Sequence, residues 1–147
     1  MAGPVKETIS IAAPVTTVIG VVADLENTDR WANEAKSAEV VTRDGDGRPT
    51  RIVVTLGAIG FTSASTFDVA YTDSSVTLTC VEGRLIAEST ISYEAAESGA
   101  GTELTMTSTM QVTVPVPQWG LERAMSRSAR KNLASVKADA ERAVAFG

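Results

Sequence analysis

The feature that most constrains this chain is a long strand pattern that leads directly into a long helix pattern. Apolar and polar residues alternate over residues 103–114, with Leu104 and Val112 on one side and Glu103 and Gln111 on the other. Twelve residues at about 3.4 Å each span roughly 40 Å, which is long for a strand. A strand of this length must coil, so we expect a strongly curved sheet.

Pro115 and Pro117 end this pattern, and apolar residues then recur at helical spacing to about residue 145. About thirty residues at a rise of 1.5 Å give a helix of roughly 45 Å, which matches the strand in length. The apolar stripe of this helix consists of Leu121, Met125, Ala129, Leu133, Val136, Ala140 and Val144.

The first hundred residues predict strands separated by turns. We predict strands at 5–12, 38–43, 51–58, 61–71, 76–80 and 85–93, a short helix at 14–24 and a helical turn at 25–31. Residues 44–47 (DGDG) tolerate positive φ and indicate a hairpin. A run of strands followed by a helix indicates an α+β fold, with a curved antiparallel sheet of about seven strands wrapped around the C-terminal helix.

A long helix touches a curved sheet poorly along its length, so the pattern favours a cavity between the two. Aromatic residues make up only 5% of the chain, and small residues occupy four expected inward positions, Ala58, Ala87, Ser89 and Ser108. Ligand pockets are mostly apolar with a few placed polar groups. The side chains expected to contact a ligand in this cavity are Val54, Leu56, Phe67, Tyr71, Leu78, Tyr93, Met106, Met110, Trp119, Met125, Ser128 and Asn132.

Tyr71, Tyr93, Trp119 and Asn132 are the candidate polar handles of this cavity. The alternative for both tyrosines is a core position from which the hydroxyl reaches solvent or backbone. Ser128 flanks the helix stripe together with Asn132, either to meet a ligand carbonyl or simply to lie at the helix edge. The three methionines in the set suit an adaptable pocket, but methionine also fills ordinary cores.

The composition argues against the commonest catalytic and metal chemistry. The chain has no histidine and a single cysteine, Cys80, so a zinc site and a histidine-activated nucleophile are not expected. We predict no cofactor and no metal, and the sequence identifies no catalytic residue. A catalytic cavity would need a titratable group, and the candidates are Tyr71, Tyr93 and Glu122. For Glu122, a favourable interaction with the helix dipole is the alternative.

The net charge of −5 argues against nucleic acid as a partner, because phosphate binding needs a basic surface. No stretch approaches the roughly 20 apolar residues of a membrane span. Residues 1–10 contain no apolar run of signal-peptide length, so a cytoplasmic location is expected. Arg123, Arg127, Arg130 and Lys131 form a basic helix face, which is either solvated surface or a docking site for an anionic headgroup or a partner.

Five segments carry a resemblance to a known family: residues 9–14 (ISIAAP), 22–26 (VADLE), 29–31 (DRW), 44–49 (DGDGRP) and 101–105 (GTELT). The chain resembles the START-like superfamily, specifically its bacterial polyketide cyclase/dehydrase and coenzyme Q-binding branch. The resemblance covers nearly the whole chain. It implies one START-like domain over residues 1–147 with the helix-grip fold, in which Trp31 has a packing role.

The resemblance also implies a hydrophobic cavity that receives lipids, polyketides, steroids or quinones. Family members called cyclases fold and dehydrate a polyketide there, whereas others only bind and carry, and no universal catalytic motif exists to transfer. We therefore expect binding of a hydrophobic small molecule, with a polyketide cyclase or dehydratase as the alternative. A third hypothesis is transient contact with a membrane or a partner enzyme.

Overall fold

The described part of the chain folds into seven strands and two helices. The computed structural model describes residues 2–25, 35–58 and 61–146. Most of the predicted helical turn at 25–31, with Trp31, lies outside these residues. The elements in chain order are β1 (Ala2–Ile11), α1 (Val15–Ala23), β2 (Ala35–Arg43), β3 (Pro49–Ala58), β4 (Phe61–Thr72), β5 (Ser75–Gly83), β6 (Ile86–Ser98), β7 (Gly101–Val112) and α2 (Gln118–Phe146).

The strands form one antiparallel sheet in the order β1-β7-β6-β5-β4-β3-β2. Consecutive strands from β2 to β7 are neighbours, as expected for strands joined by short turns. The first strand completes the sheet by pairing with the last, with Ile9 opposite Leu104. This architecture confirms the predicted α+β fold with a curved sheet and a long C-terminal helix.

The alternation of buried and exposed residues shows which face of the sheet is inward. In β7, Thr102, Leu104, Met106 and Ser108 are buried, whereas the intervening residues are half-buried or exposed. This is the period of two that a sheet with one covered face requires. The long alternating pattern therefore places the strand correctly, although β7 ends at Val112, three residues before the first proline.

One of the small residues expected to point inward does not. Ala87 is exposed, because the pairing between β6 and β7 shifts at this position. Ile86 lies opposite Val112 and Glu88 lies opposite Gln111, so Ala87 is an extra residue on β6. A bulge of this kind changes the phase of the strand, and simple alternation cannot anticipate it.

The helix α2 runs along β1 in the same direction and is attached to it at both ends. Glu122 accepts a hydrogen bond from the Gly3 amide at 2.8 Å, and Glu141 accepts one from the Ala12 amide at 2.8 Å. Between them, Lys137 donates to the Ser10 carbonyl at 2.7 Å. These three hydrogen bonds hold α2 against β1, which is an edge strand of the sheet.

The apolar stripe of α2 is buried as predicted, except for Val144, which is 46% exposed. Most of the stripe joins a core with the inward side of the sheet and with Val18 and Val22 of α1. A smaller cluster at the N-terminal end of α2 contains Leu121, Met125 and Ala2.

Candidate functional site

The candidate site is the interior between α2 and the concave face of the sheet. The helix packs along β1 and, to a lesser extent, against β7 and α1. Within the described residues, the α2 backbone does not come as close to the backbone of β3, β4 or β5 as it does to that of β1. The inward side chains of these three strands therefore form a wall that faces the helix across the interior. This wall consists of the buried residues Ile52, Val54, Phe67, Val69, Val76 and Leu78.

One polar pair crosses this interior. Tyr93 of β6 and Asn132 of α2 are both buried, with exposed fractions of 3% and 6%, and their side chains are hydrogen-bonded. Burial raises the pKa of Tyr93 far above its ordinary value, and the weaker opposing effect is the hydrogen bond from Asn132. The phenol is therefore neutral at physiological pH and keeps its hydrogen-bonding proton.

A second polar group on the inward face was missed by the sequence analysis. Ser65 of β4 is buried, and its Oγ is the one buried side-chain oxygen of the described residues that has no hydrogen-bond partner. Gly83 lies opposite Ser65, and a Cβ at Gly83 would come within 2.8 Å of this Oγ. The sequence did contain a signal for this position, because Ser65 follows the same alternation as Phe67 and Val69 and is therefore expected to point inward with them.

Tyr71 lies at the edge of this interior and is half-buried. Its hydroxyl donates to the Pro49 carbonyl, and the Arg48 guanidinium lies 4.7 Å from the centre of its ring. Burial raises the pKa of Tyr71, while the positive charge of Arg48 acts in the opposite direction. The hydroxyl is thus occupied by the backbone of the hairpin, in contrast to the Tyr93 hydroxyl, which bonds to a side chain of α2.

The structure brings together only part of the set predicted to contact a ligand. Five of that set are buried members of the main core, namely Val54, Phe67, Leu78, Tyr93 and Met106, and Asn132 is a buried polar residue of α2. Met110 and Met125 belong instead to the smaller cluster at the start of α2. Ser128 is half-buried on α2. Trp119 is 69% exposed and does not reach the interior, and the Leu56 side chain lies outside the described part.

The Glu122 side chain binds the backbone of β1 rather than a group in the interior. Its carboxylate accepts the hydrogen bond from the Gly3 amide, and Gly3 has a φ of +90°. This is a backbone conformation that glycine adopts without strain. A Cβ at Gly3 would also collide with the Ser108 carbonyl. Two roles were expected for Glu122, an acid in the cavity or a partner of the helix dipole. The hydrogen bond to the Gly3 amide is neither of them.

A depression of about 550 Å³ lies between β4 and the end of β5. It is lined by Thr62, Ser63, Ala64, Thr66, Glu82, Gly83 and Arg84. Thr62, Ala64 and Thr66 are out of phase with the inward residues of β4, whereas Ser63 is in phase with them and Gly83 lies opposite Ser65.

The described residues also bear on metal binding and membrane insertion. In the ranges 2–25, 35–58 and 61–146, no three Cys, Asp or Glu side chains are grouped closely enough to hold a metal ion. Neither α1 nor α2 is long and apolar enough to cross a bilayer.

Comparison with known proteins supports the same fold. The family described as "Polyketide cyclase / dehydrase and lipid transport" matches residues 3–141. No curated protein is significantly similar in sequence. A START superfamily protein from Mycobacterium smegmatis has a TM-score of 0.85 at 20% identity, with 94% of this chain and 97% of that chain covered.

Two further solved structures are similar. A protein from Thermus thermophilus has a TM-score of 0.82 at 21% identity, over 95% of this chain and 97% of that one. The Zhui aromatase/cyclase from a Streptomyces species has a TM-score of 0.81 at 17% identity, over 95% of this chain and 94% of that one. At these identities the likeness concerns the fold.

Proposed function

Because the chain belongs to the polyketide cyclase/dehydrase and lipid transport family, we propose that it binds a hydrophobic small molecule between its concave sheet and α2. The observation that carries the proposal is the Tyr93–Asn132 pair beside a predominantly apolar wall. Ligand sites typically combine predominantly apolar walls with a few polar groups that set orientation. This interior has that composition.

The pair also suggests the chemistry of the ligand. A neutral tyrosine hydroxyl can both donate and accept, and an asparagine side chain offers two donors and one acceptor. Each side chain can therefore offer a hydrogen bond to a polar group of a molecule that lies against it. An apolar molecule with a carbonyl or hydroxyl group, such as a lipid, a polyketide or a quinone, fits this arrangement.

A polyketide cyclase or dehydratase is the second candidate, because one of the structural neighbours is named an aromatase/cyclase. Catalysis would require a group in the interior that accepts or gives up a proton near neutral pH. Tyr93 is the titratable residue of the described core, and burial raises its pKa. It can polarise a carbonyl by hydrogen bonding but is a poor base, so binding without chemistry stands first.

The experiment compares two tryptophan substitutions on one strand. Leu78→Trp adds a large ring to the buried wall, whereas Val81→Trp adds the same ring at a position that is 48% exposed. Fluorescence titration with anilinonaphthalene sulfonate reports apolar binding, and native mass spectrometry detects a co-purified molecule. We expect Leu78→Trp to abolish probe binding and Val81→Trp to preserve it, with circular dichroism confirming that both variants fold.

Two outcomes would count against the proposal. One is a wild-type protein that neither carries a molecule nor binds the probe, and the other is equal binding by both folded variants. The enzymatic alternative has a separate test with an aromatic polyketide substrate. Turnover that is abolished by Tyr93→Phe and kept by Tyr71→Phe would favour catalysis over binding alone.

A further inference from the structure

Four exposed side chains recur at every fourth position along α2. They are Trp119, Arg123, Arg127 and Lys131, which we call the basic stripe. Residues four apart lie on the same side of a helix, so the four form one continuous ridge. From the sequence alone, the basic residues here are either solvated surface or a docking site.

The ion pairs of the protein set this stripe apart. Among the described residues, the paired cations are Arg48, Arg51, Arg130, Lys137 and Arg142. No ion pair within the described ranges includes a cation of the basic stripe. The acidic residue within its span, Glu122, is directed to the Gly3 amide of β1. The positive charge of the stripe is therefore not neutralised by neighbouring carboxylates of that helix segment.

The stripe begins with the most exposed large apolar side chain of the described residues. Trp119 is 69% exposed, and the guanidinium carbon of Arg123 lies 5.8 Å from its ring. An exposed tryptophan next to unpaired cations combines two properties that suit the boundary between lipid headgroups and water. The amphipathic tryptophan ring is favoured at the level of the lipid headgroups, and the cations are attracted to anionic lipids.

We propose that the basic stripe docks this protein peripherally on an anionic lipid bilayer. The positive charge of the basic stripe and its aromatic anchor favour an anionic bilayer as the partner. Neither α1 nor α2 is able to cross the bilayer, so the contact is peripheral. The net charge of −5 opposes such docking only at distances where charges are not screened. At physiological ionic strength charges are screened beyond about 8 Å, so the local stripe dominates at contact. Docking needs no bound ligand and therefore goes beyond the proposed function.

The test measures sedimentation of the ligand-free protein with vesicles of phosphatidylcholine alone or with about one third phosphatidylglycerol, which supplies the anionic surface. One variant is Arg127→Gln with Lys131→Gln, and its control is Arg51→Gln with Arg142→Gln, which changes the net charge equally. Each cation near an anionic surface contributes a factor of about five in affinity. We therefore expect the stripe variant to bind about 25-fold more weakly and the control to bind as the wild type does.

Trp119→Ala supplies an independent measurement on the same vesicles. It should weaken binding without removing the dependence on phosphatidylglycerol. Because the chain also contains Trp31, the shift of tryptophan fluorescence to shorter wavelength that is expected when the wild type binds should be absent from Trp119→Ala. Equal binding to both vesicle types, absence of binding, or equal losses in the stripe and control variants would overturn docking. Loss of probe binding in the interior, with vesicle binding retained, would instead contradict the proposed function alone.

Discussion

Tyr93 of β6 and Asn132 of α2 are hydrogen-bonded to each other inside the protein and so join the sheet to the helix. Leaving a buried polar group unpaired is costly, so this bond constrains how the two layers face each other. It also places the most strongly perturbed titratable group of the described core where a ligand would lie. Several expectations depend on this pair and on the groups around it.

Replacing Tyr93 by phenylalanine removes the hydroxyl and keeps the ring. We expect the free energy of unfolding to fall by about 1 kcal/mol, because a buried partner loses a hydrogen bond. Urea denaturation measures this change. Tyr71→Phe is the matched control, since its hydroxyl bonds to the Pro49 carbonyl in a part-buried position at the edge of the site. A larger loss in Tyr71→Phe would contradict the central role of the Tyr93–Asn132 pair.

The raised pKa of Tyr93 predicts how stability depends on alkaline pH. Unfolded tyrosine loses its proton near pH 10, whereas burial keeps the proton on Tyr93 in the folded state at that pH. The stabilising effect is thus complete below about pH 10 and is lost as pH rises further, because the unfolded state releases the proton first. Unfolding titrations across this range should show a steeper decline for the wild type than for Tyr93→Phe. Parallel curves would refute this assignment.

Replacing Ser65 by alanine should stabilise the ligand-free protein. The buried Ser65 Oγ has no hydrogen-bond partner in the described structure, so removing it abolishes a desolvation cost of about 1 kcal/mol or more. Ser89→Ala is the control, because the Ser89 Oγ donates to the Thr109 carbonyl at 3.0 Å. Thermal denaturation should therefore show shifts of opposite sign, and a decrease for both variants would count against the unpaired hydroxyl.

Glu122 should contribute to stability through the Gly3 amide. Glu122→Ala removes the acceptor of a part-buried hydrogen bond, and we expect a loss of about 1 kcal/mol. Glu122→Gln keeps an acceptor oxygen and should lose less. Hydrogen exchange of the Gly3 amide gives a local measurement, which should accelerate in the alanine variant. Unchanged exchange would show that the contact does not hold β1 to the helix.

Most of the fold could be predicted from local patterns. The alternation in β7 and the apolar stripe of α2 depend on neighbours along the chain, so their period identifies the element and its buried face. Local reasoning failed at Ala87, where an extra residue in β6 changes the phase. The exposure of Trp119 could have been predicted from the helix period, because Trp119 lies four residues before Arg123 and on the opposite side of α2 from Leu121.

The sequence by itself determined the element order, the curvature of the sheet and the amphipathic character of the last helix, because these follow from residue periodicity and chain length. Only the tertiary structure decided that Tyr93 meets Asn132, that Ser65 has no partner and that Glu122 holds Gly3. Each of these relationships involves residues far apart in the chain. Their positions depend on strand register and on the placement of α2 along β1, which no local pattern contains.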